Sequence, residues 1–172
     1  MSTQLATRKT EERSHHLQRL TADGTLVEFL ASPDEAGTDI CLIRGTIPPG
    51  VAVPLHSHPD VELFYVLEGA VEAFQSNGSP RWKTVGAGAV AAIAGNVKHA
   101  WRNSSPRPVT MVIVTTAKMY RFFHEVAKPF AADHSAAPPT PGEMQELFRA
   151  AVRYGYWMGS PEENRAIGLN IG

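Results

Sequence analysis

Two histidines one residue apart, followed by a glutamate, are the residues whose types and spacing most clearly suit chemistry. They are His56, His58 and Glu62, in the stretch GVAVPLHSHPDVELFYVLEG. Residues two apart in a strand project from the same face, so His56 and His58 point to one side. Pro59 and Asp60 favour a reversal of the chain there, and Glu62 opens a second strand that can lie antiparallel to the first. We therefore expect the three side chains to face one interior.

A fourth polar group, His99 in GNVKHAWRN, lies on a later strand that can pack across the same interior. Three imidazoles and one carboxylate suit Fe, Mn, Co, Ni, Cu or Zn. We therefore expect a divalent transition metal as the cofactor, with His56, His58, Glu62 and His99 as its ligands. The alternative is a site that keeps these residues without the metal. A wholly structural role is disfavoured because three buried histidines would need hydrogen-bond partners.

Short strands are the elements that must position these residues. From residue 23 onward, apolar runs alternate with Gly, Pro, Asn and Asp, a pattern typical of a β-sandwich or a closed β-barrel. We predict an all-β fold, with the barrel over residues 21–117. The predicted strands are residues 25–32, 38–47, 52–58, 61–69, 70–75, 81–85, 88–93, 98–103 and 108–116.

Two segments flank this barrel. Residues 1–20 are polar and are predicted to form an N-terminal arm. Residues 118–172 are predicted to form a helical C-terminal extension, because apolar residues recur there at helical spacing.

Local signals within the extension mark where its helices begin and end. Thr140 and Glu143 have the spacing of a capping box, and Ser160 and Glu163 repeat it further on. Gly155 suits the C-terminal cap of the helix that lies between them.

The overall composition limits which binding partners and which cellular location we expect. The chain has 172 residues and a net charge of −1, and no basic stripe is visible, so we expect no nucleic-acid partner. The start of the chain lacks the apolar stretch of a signal peptide, and no apolar run is long enough to span a membrane. We therefore expect a cytoplasmic protein without membrane contact. The single cysteine, Cys41, lies in an apolar run and is predicted to be a buried, inert thiol.

The histidine-rich stretch resembles the first sequence motif of the cupin superfamily. That motif runs Gly, five residues, His-x-His, three or four residues, Glu, six residues, Gly. Its fixed positions are filled here by Gly50, His56, His58, Glu62 and Gly69.

A later stretch, GAVAAIAGNVKHAWRN, resembles the second cupin motif, with Gly88, His99 and Asn103 in place. It departs from the motif at Ala94, where proline is usual, and at Asn96, where glycine is usual. Asparagine is the next best residue for a left-handed turn, so we expect this loop to keep its shape.

The resemblance implies a cupin jelly-roll β-barrel. The tail is similar to that of single-domain cupins (cupin 2 type) related to quercetin dioxygenase, which implies a metal-dependent dioxygenase acting on a small aromatic or phenolic, flavonol-like compound. In that family the metal-binding glutamate can accept a proton from the substrate, which implies a catalytic role for Glu62. Two alternatives stay open because fold does not fix function. One is non-catalytic binding or sensing of a small molecule, and the other is a sugar or small-molecule isomerase or epimerase.

Strand parity predicts which residues face a substrate pocket. Phe64 and Val66 lie two and four residues after Glu62, and Trp101 lies two residues after His99, so each shares the face of that proposed ligand. With Met111 on the last strand, these residues are predicted to line a pocket for an apolar or aromatic small molecule. The alternative is that they only fill the core.

The outward-facing residues of the same strand suggest a covered surface. Tyr65 and Leu67 have the opposite parity and are apolar where a free barrel would meet water. Either a second subunit, giving the homodimer that the cupin resemblance implies, or the helical tail could cover them. An isomerase would need an additional His, Tyr or Lys in the pocket, and Tyr65 faces the wrong way for that role.

Overall fold

The computed structural model describes residues 18–20, 24–77, 81–129 and 141–170. The strands are β1 (Gln18–Leu20), β2 (Leu26–Ala31), β3 (Ile40–Ile47), β4 (Ala52–Ser57), β5 (Glu62–Glu68), β6 (Ala70–Gln75), β7 (Arg81–Gly86), β8 (Val90–Ile93), β9 (His99–Arg102), β10 (Val109–Thr116), β11 (Ala127–Pro129) and β12 (Trp157–Met158). The helices are α1 (Pro33–Ala36), α2 (Ala117–Val126), α3 (Pro141–Arg153) and α4 (Pro161–Ala166).

The strands form two antiparallel sheets that enclose one core. The first has the order β11-β1-β2-β3-β10-β5-β8 and the second the order β12-β4-β9-β6-β7. Buried and more exposed residues alternate along β3, β5 and β10, as expected for strands with one face turned to a core. Inner residues of both sheets, such as Ile43, Val66 and Val71, pack in one cluster. The predicted cupin jelly-roll barrel followed by helices is confirmed.

Local capping fixes the ends of the helices. The side chain of Thr116 accepts a hydrogen bond from the backbone N–H of Met119 at the start of α2. Ser160 and Glu163 form the predicted capping box at the start of α4, whereas Thr140 lies outside the described residues. Gly155, at φ +69°, ends the turn after α3 as predicted. Within the described part of the chain, no helix is both long and apolar enough to cross a membrane.

The C-terminal elements are built into the barrel. β12 pairs with β4, and β11 pairs with β1, whose three residues end the segment predicted to be an arm. Asn164 is buried, and its Oδ1 accepts from the backbone N–H of Leu55 in β4 at 2.8 Å. Its Nδ2 donates to the carbonyls of Gly159 and Ser160 at 3.1 and 3.0 Å. The tail is therefore fixed against the strand that carries His56.

Among the described residues, the helical tail packs over the inside of the barrel and leaves the outer face of the first sheet exposed. Met119 and Phe122 of α2, Leu147 of α3 and Met158 of β12 all line the cavity that enters the barrel. The outward-facing side chains of β5 stay exposed, with Tyr65 at 45%. The described part of the tail therefore covers neither Tyr65 nor Leu67.

Candidate metal centre

The predicted ligands come from three neighbouring places in the barrel. His56 lies near the end of β4, and His58 follows just after that strand. Glu62 is the first residue of β5, and His99 is the first residue of β9. His56 and His99 are direct partners in the β4–β9 register, so the second sheet brings these two residues together.

The four side chains meet in a small volume. One ring nitrogen from each of His56, His58 and His99 lies within 4.8 Å of the other two. Oε2 of Glu62 lies 3.2 Å from Nε2 of His58 and 3.3 Å from Nε2 of His99. The structure therefore brings together all four residues singled out from the sequence.

Backbone hydrogen bonds fix which nitrogen of each histidine is free. Every Nδ1 lies within hydrogen-bond distance of a backbone carbonyl two residues away, and a carbonyl can only accept. Each Nδ1 must therefore carry the proton, which leaves Nε2 of the neutral ring as a bare lone pair. The carbonyls belong to Pro54, Asp60 and Val97, at 2.7, 3.0 and 2.8 Å.

Two of these Nε2 atoms have no hydrogen bond within the described residues. His58 and His99 are 2% and 1% exposed, and although Oε2 of Glu62 is near, no hydrogen bond of acceptable angle joins it to either ring. Buried nitrogens without partners are costly unless something else binds them. Nitrogen lone pairs and a carboxylate oxygen that share one space form a donor set for a divalent transition metal. The residues present therefore fit such an ion.

The charges in the cluster are strongly coupled. Burial alone would raise the pKa of Glu62, but its contacts with His58 and His99 outweigh burial and hold this pKa far below its usual range. Burial likewise opposes the charged form of His58, yet Glu62 raises the pKa of His58 above its ordinary value of 6.5. Burial and the two neighbouring imidazoles lower the pKa of His56. Glu62 therefore stays ionised at neutral pH and supplies negative charge to the centre.

The loop that departs from the second motif holds the two ligand segments together. Asn96 has φ +63°, the left-handed conformation predicted for it. Its backbone N–H donates to the carbonyl of His58 at 2.6 Å. A Cβ on Gly95 would lie 2.4 Å from the carbonyl oxygen of Pro59, so only glycine permits this approach. The loop keeps its shape although the usual proline and second glycine are absent.

An apolar cavity of about 110 Å³ adjoins the histidine cluster. His56, His58 and Glu62 lie at its wall, and so do three predicted pocket residues, Phe64, Trp101 and Met111. Val66 does not line it and is instead fully buried in the core, although it shares the parity of Phe64. The remaining wall is mostly apolar and comes in about equal parts from the barrel and from the helical tail.

Sequence reasoning missed Tyr156, which lines the same cavity. Its ring centroid lies 5.3 Å from that of His58, and its hydroxyl has no hydrogen bond within the described residues. Burial, followed by the charges of Asp60 and Glu62, raises the pKa of Tyr156 far above its usual value. No local pattern in GYWMGSP could have placed this residue, because its position depends on how the tail docks onto β4.

Comparison with known proteins agrees with this geometry. Residues 43–115 match the family model Cupin_2, described as a cupin domain. The matched cupin region contains all four residues of the cluster. The narrower resemblance of the tail to quercetin dioxygenase-like cupins stays a prediction. No curated protein matches the sequence.

One solved structure shares the fold at low identity, and two others resemble this region more weakly. The polyketide cyclase RemF from Streptomyces resistomycificus is 18% identical, with a TM-score of 0.56 over 81% of this chain and 98% of the other. A sugar phosphate isomerase from Silicibacter pomeroyi is 24% identical, with a TM-score of 0.49 over 60% and 72% of the two chains. A structure from work on the DMSP lyases RdDddP and RnDddQII is 19% identical, with a TM-score of 0.47 over 54% of this chain. The present chain spans about half, 47%, of that protein.

Proposed function

We propose that the protein holds a divalent transition metal with His56, His58, Glu62 and His99. We further propose that it acts on a small aromatic or phenolic compound as a metal-dependent dioxygenase. The observation that carries this proposal is the convergence of bare Nε2 atoms and a carboxylate oxygen beside an apolar cavity. The metal would supply Lewis-acid or redox chemistry to a ligand in that cavity.

Glu62 is proposed to have two roles. Its ionised carboxylate balances the charge of the cation, and it is the group placed to accept a proton from a ligand hydroxyl. Because its pKa is held low by His58 and His99, it is a weak base in the metal-free protein. Charge balance is therefore the stronger of the two proposed roles.

The lining of the cavity supports an aromatic substrate over a sugar phosphate. Among the described residues, no lysine or arginine lines the cavity, and aromatic and thioether side chains such as Phe64, Trp101 and Met111 form much of its wall. A phosphate or a free carboxylate would lose its hydration there without gaining a cationic partner. An apolar ring would instead gain contact with the aromatic and methionine side chains.

Tyr156 gives weight to a second candidate, a metal-assisted reaction without oxygen, such as an isomerisation. Such a reaction needs an additional group that can donate or accept a proton in the pocket. The outward-facing Tyr65 cannot serve, but Tyr156 lines the cavity beside His58. The same aromatic class of substrate applies to both candidates.

Metal analysis and oxygen uptake separate these functions. The purified protein should contain about one transition metal per chain after reconstitution, and it should consume oxygen with members of a panel of phenols, catechols and flavonols. Far less than one metal per chain would refute the proposal. Metal without oxygen uptake, but with conversion of a substrate, would favour isomerisation. Metal and ligand binding without any turnover would identify a binding or sensing protein.

We also propose that a second copy of the chain covers the outer face of the first sheet. Register places Leu63 and Tyr65 of β5 opposite β10 on one side and β8 on the other. Exposed apolar side chains continue across this face at Ile40, Leu42, Leu63, Tyr65, Leu67 and Val90. Contiguous apolar patches of this kind mark interaction surfaces.

Sedimentation of the purified protein tests this pairing. Wild type should sediment as a dimer and Tyr65→Asp as a monomer. Val152→Asp, at an exposed apolar position on α3, is the matched control and should remain dimeric. A monomeric wild type would refute the pairing.

A further inference from the structure

One hydroxyl of the cavity wall lies outside the proposed metal centre and has no hydrogen bond within the described residues. Besides the indole N–H of Trp101, the polar groups on the described lining side chains are those of Thr25, His56, His58, Glu62 and Tyr156. Three of these are proposed ligands, and Thr25 has a partner of its own. Tyr156 is 7% exposed, yet its hydroxyl has no hydrogen bond within the described residues. A buried hydroxyl can donate one proton and can also accept a hydrogen bond, so both capacities need a neighbouring group or a ligand.

A second buried polar atom lies behind this hydroxyl. Asp60 is 5% exposed, and its Oδ1 accepts a hydrogen bond from the hydroxyl of Thr116. Its other oxygen, Oδ2, has no partner within the described residues. Asp60 also lies beside the phenol, because after burial its proximity is the next cause that raises the pKa of Tyr156. A carboxylate oxygen can only accept, so the single phenolic proton can satisfy Oδ2. The Tyr156 oxygen is then left as an acceptor that faces the cavity.

We propose that Tyr156 selects the ligand by accepting a hydrogen bond from a ligand hydroxyl while its own proton points to Asp60. The aromatic class of the ligand rests on the proposed function, and this inference narrows it to ring compounds that carry a free O–H. An ether or a bare hydrocarbon of the same shape would leave the Tyr156 oxygen unsatisfied. A site that hydrogen-bonds a ligand O–H disfavours an analogue without one, because the polar group of the site is then left unpaired.

The volume of the cavity narrows the ligand further. An apolar cavity of about 150 Å³ holds a benzene-sized molecule. The cavity here is about 110 Å³, which is smaller than that, so it is nearer in size to one aromatic ring than to the three rings of a flavonol.

Tyr156 is also rigidly placed for this task. Its backbone N–H donates to the carbonyl of Ala151 at 2.8 Å, and the next residue enters β12, which pairs with β4. Its ring packs edge-on against Phe122, with 4.9 Å between centroids. A preorganised hydroxyl loses little entropy when a ligand binds.

Calorimetric titration with three matched probes tests the inference. The probes are 4-methylphenol, 4-methylanisole and p-xylene, which keep the ring and replace O–H by O–CH₃ or CH₃. Wild type should bind 4-methylphenol about tenfold more tightly than either other probe, the effect of one buried hydrogen bond. Tyr156→Phe should bind all three alike. Tyr154→Phe is the matched control, because Tyr154 packs on the same Phe122 but does not line the cavity. It should keep the preference.

Metal content, measured on the same samples with and without a chelator, separates this inference from the proposed function. A wild type that binds none of the probes, or binds all three alike, overturns the inference. A preference for 4-methylphenol that survives in Tyr156→Phe also overturns the inference, because the metal would then be the group that recognises the ligand hydroxyl. If the protein holds no metal but the preference is lost only in Tyr156→Phe, the inference stands and the metal-dependent function fails.

Discussion

Replacing His58 with alanine is expected to remove most of the bound metal while the barrel still folds. The His58 side chain is 1% exposed, and its Nε2 lies 3.2 Å from Oε2 of Glu62, at the meeting point of the cluster. The substitution deletes one of four proposed donors and also one of the two imidazoles beside the Glu62 carboxylate. The barrel core is formed by a separate set of apolar side chains, so its packing should survive.

The size of the effect follows from linkage between binding and folding. A metal present at a hundred times its Kd stabilises the folded state by about 2.7 kcal/mol. For a chain of this length, about 2–4 °C of Tm corresponds to each kcal/mol, so metal should raise the wild-type Tm by about 5–11 °C. A hundredfold loss of affinity at the same metal concentration leaves about 0.4 kcal/mol, or about 1–2 °C.

Differential scanning calorimetry with added Zn²⁺ and with a chelator measures both shifts. Each variant is compared with its own chelated sample, which removes any intrinsic change in stability. His124→Ala is the matched control, because His124 stacks on Phe29 away from the cluster. It should keep the full shift. A His58→Ala protein whose Tm rises as far as that of wild type would refute the ligand assignment.

The rise in Tm that metal causes in the wild-type protein should depend on pH. Metal binding requires a bare Nε2, and a proton competes for it. Because Glu62 raises the pKa of His58 in the metal-free protein, this competition should begin above pH 6.5 as the pH is lowered. The gain in Tm from metal should therefore shrink steadily from pH 8 to pH 5.5. A gain that stays constant over this range would contradict the proposed role of His58.

Three further substitutions or reactions test the supporting structure. Burial raises the pKa of Cys41 to about 11, so at pH 8 about one Cys41 thiol in a thousand should be ionised. A disulfide reagent should therefore react with Cys41 only after denaturant is added. Rapid reaction with the folded protein would contradict this. Gly95→Ala places a Cβ 2.4 Å from a backbone carbonyl oxygen and should lower the free energy of unfolding in urea by about 1–3 kcal/mol. The control Gly86→Ala has open space around its Cβ and should be nearly neutral. Equal effects of the two substitutions would refute the close approach at Gly95. Asn164→Ala removes two buried hydrogen bonds and one partly buried one, and it should cost about 2–3 kcal/mol. The exposed control Asn170→Ala should cost little. Equal urea midpoints for the two variants would show that Asn164 does not hold the tail.

The sequence by itself determined the nine strands predicted for the barrel, the start of the last helix and the four residues of the cluster. These features depend on short-range rules, such as alternation with a period of two, which set the inward face of β5 at Glu62 and Phe64. The capping box at Ser160 is likewise a contact between residues three apart. Asn96 took its left-handed conformation for the same local reason.

Parity alone was insufficient to define the cavity. Val66 faces inward as Phe64 does, but it is enclosed by the core and not by the cavity. Parity gives the side of the sheet, whereas the depth of a residue along the barrel depends on how both sheets close around it.

Only the tertiary structure decided what closes the barrel and what a ligand would meet there. The tail covers the cavity, and β12 pairs with β4, which brings Tyr156 against His58. Those residues are far apart in the chain, and their contact arises from long-range packing and from the hydrogen bond between Asn164 and Leu55 of β4. No short-range pattern encodes such a meeting, because it depends on the joint burial of many side chains from separate elements.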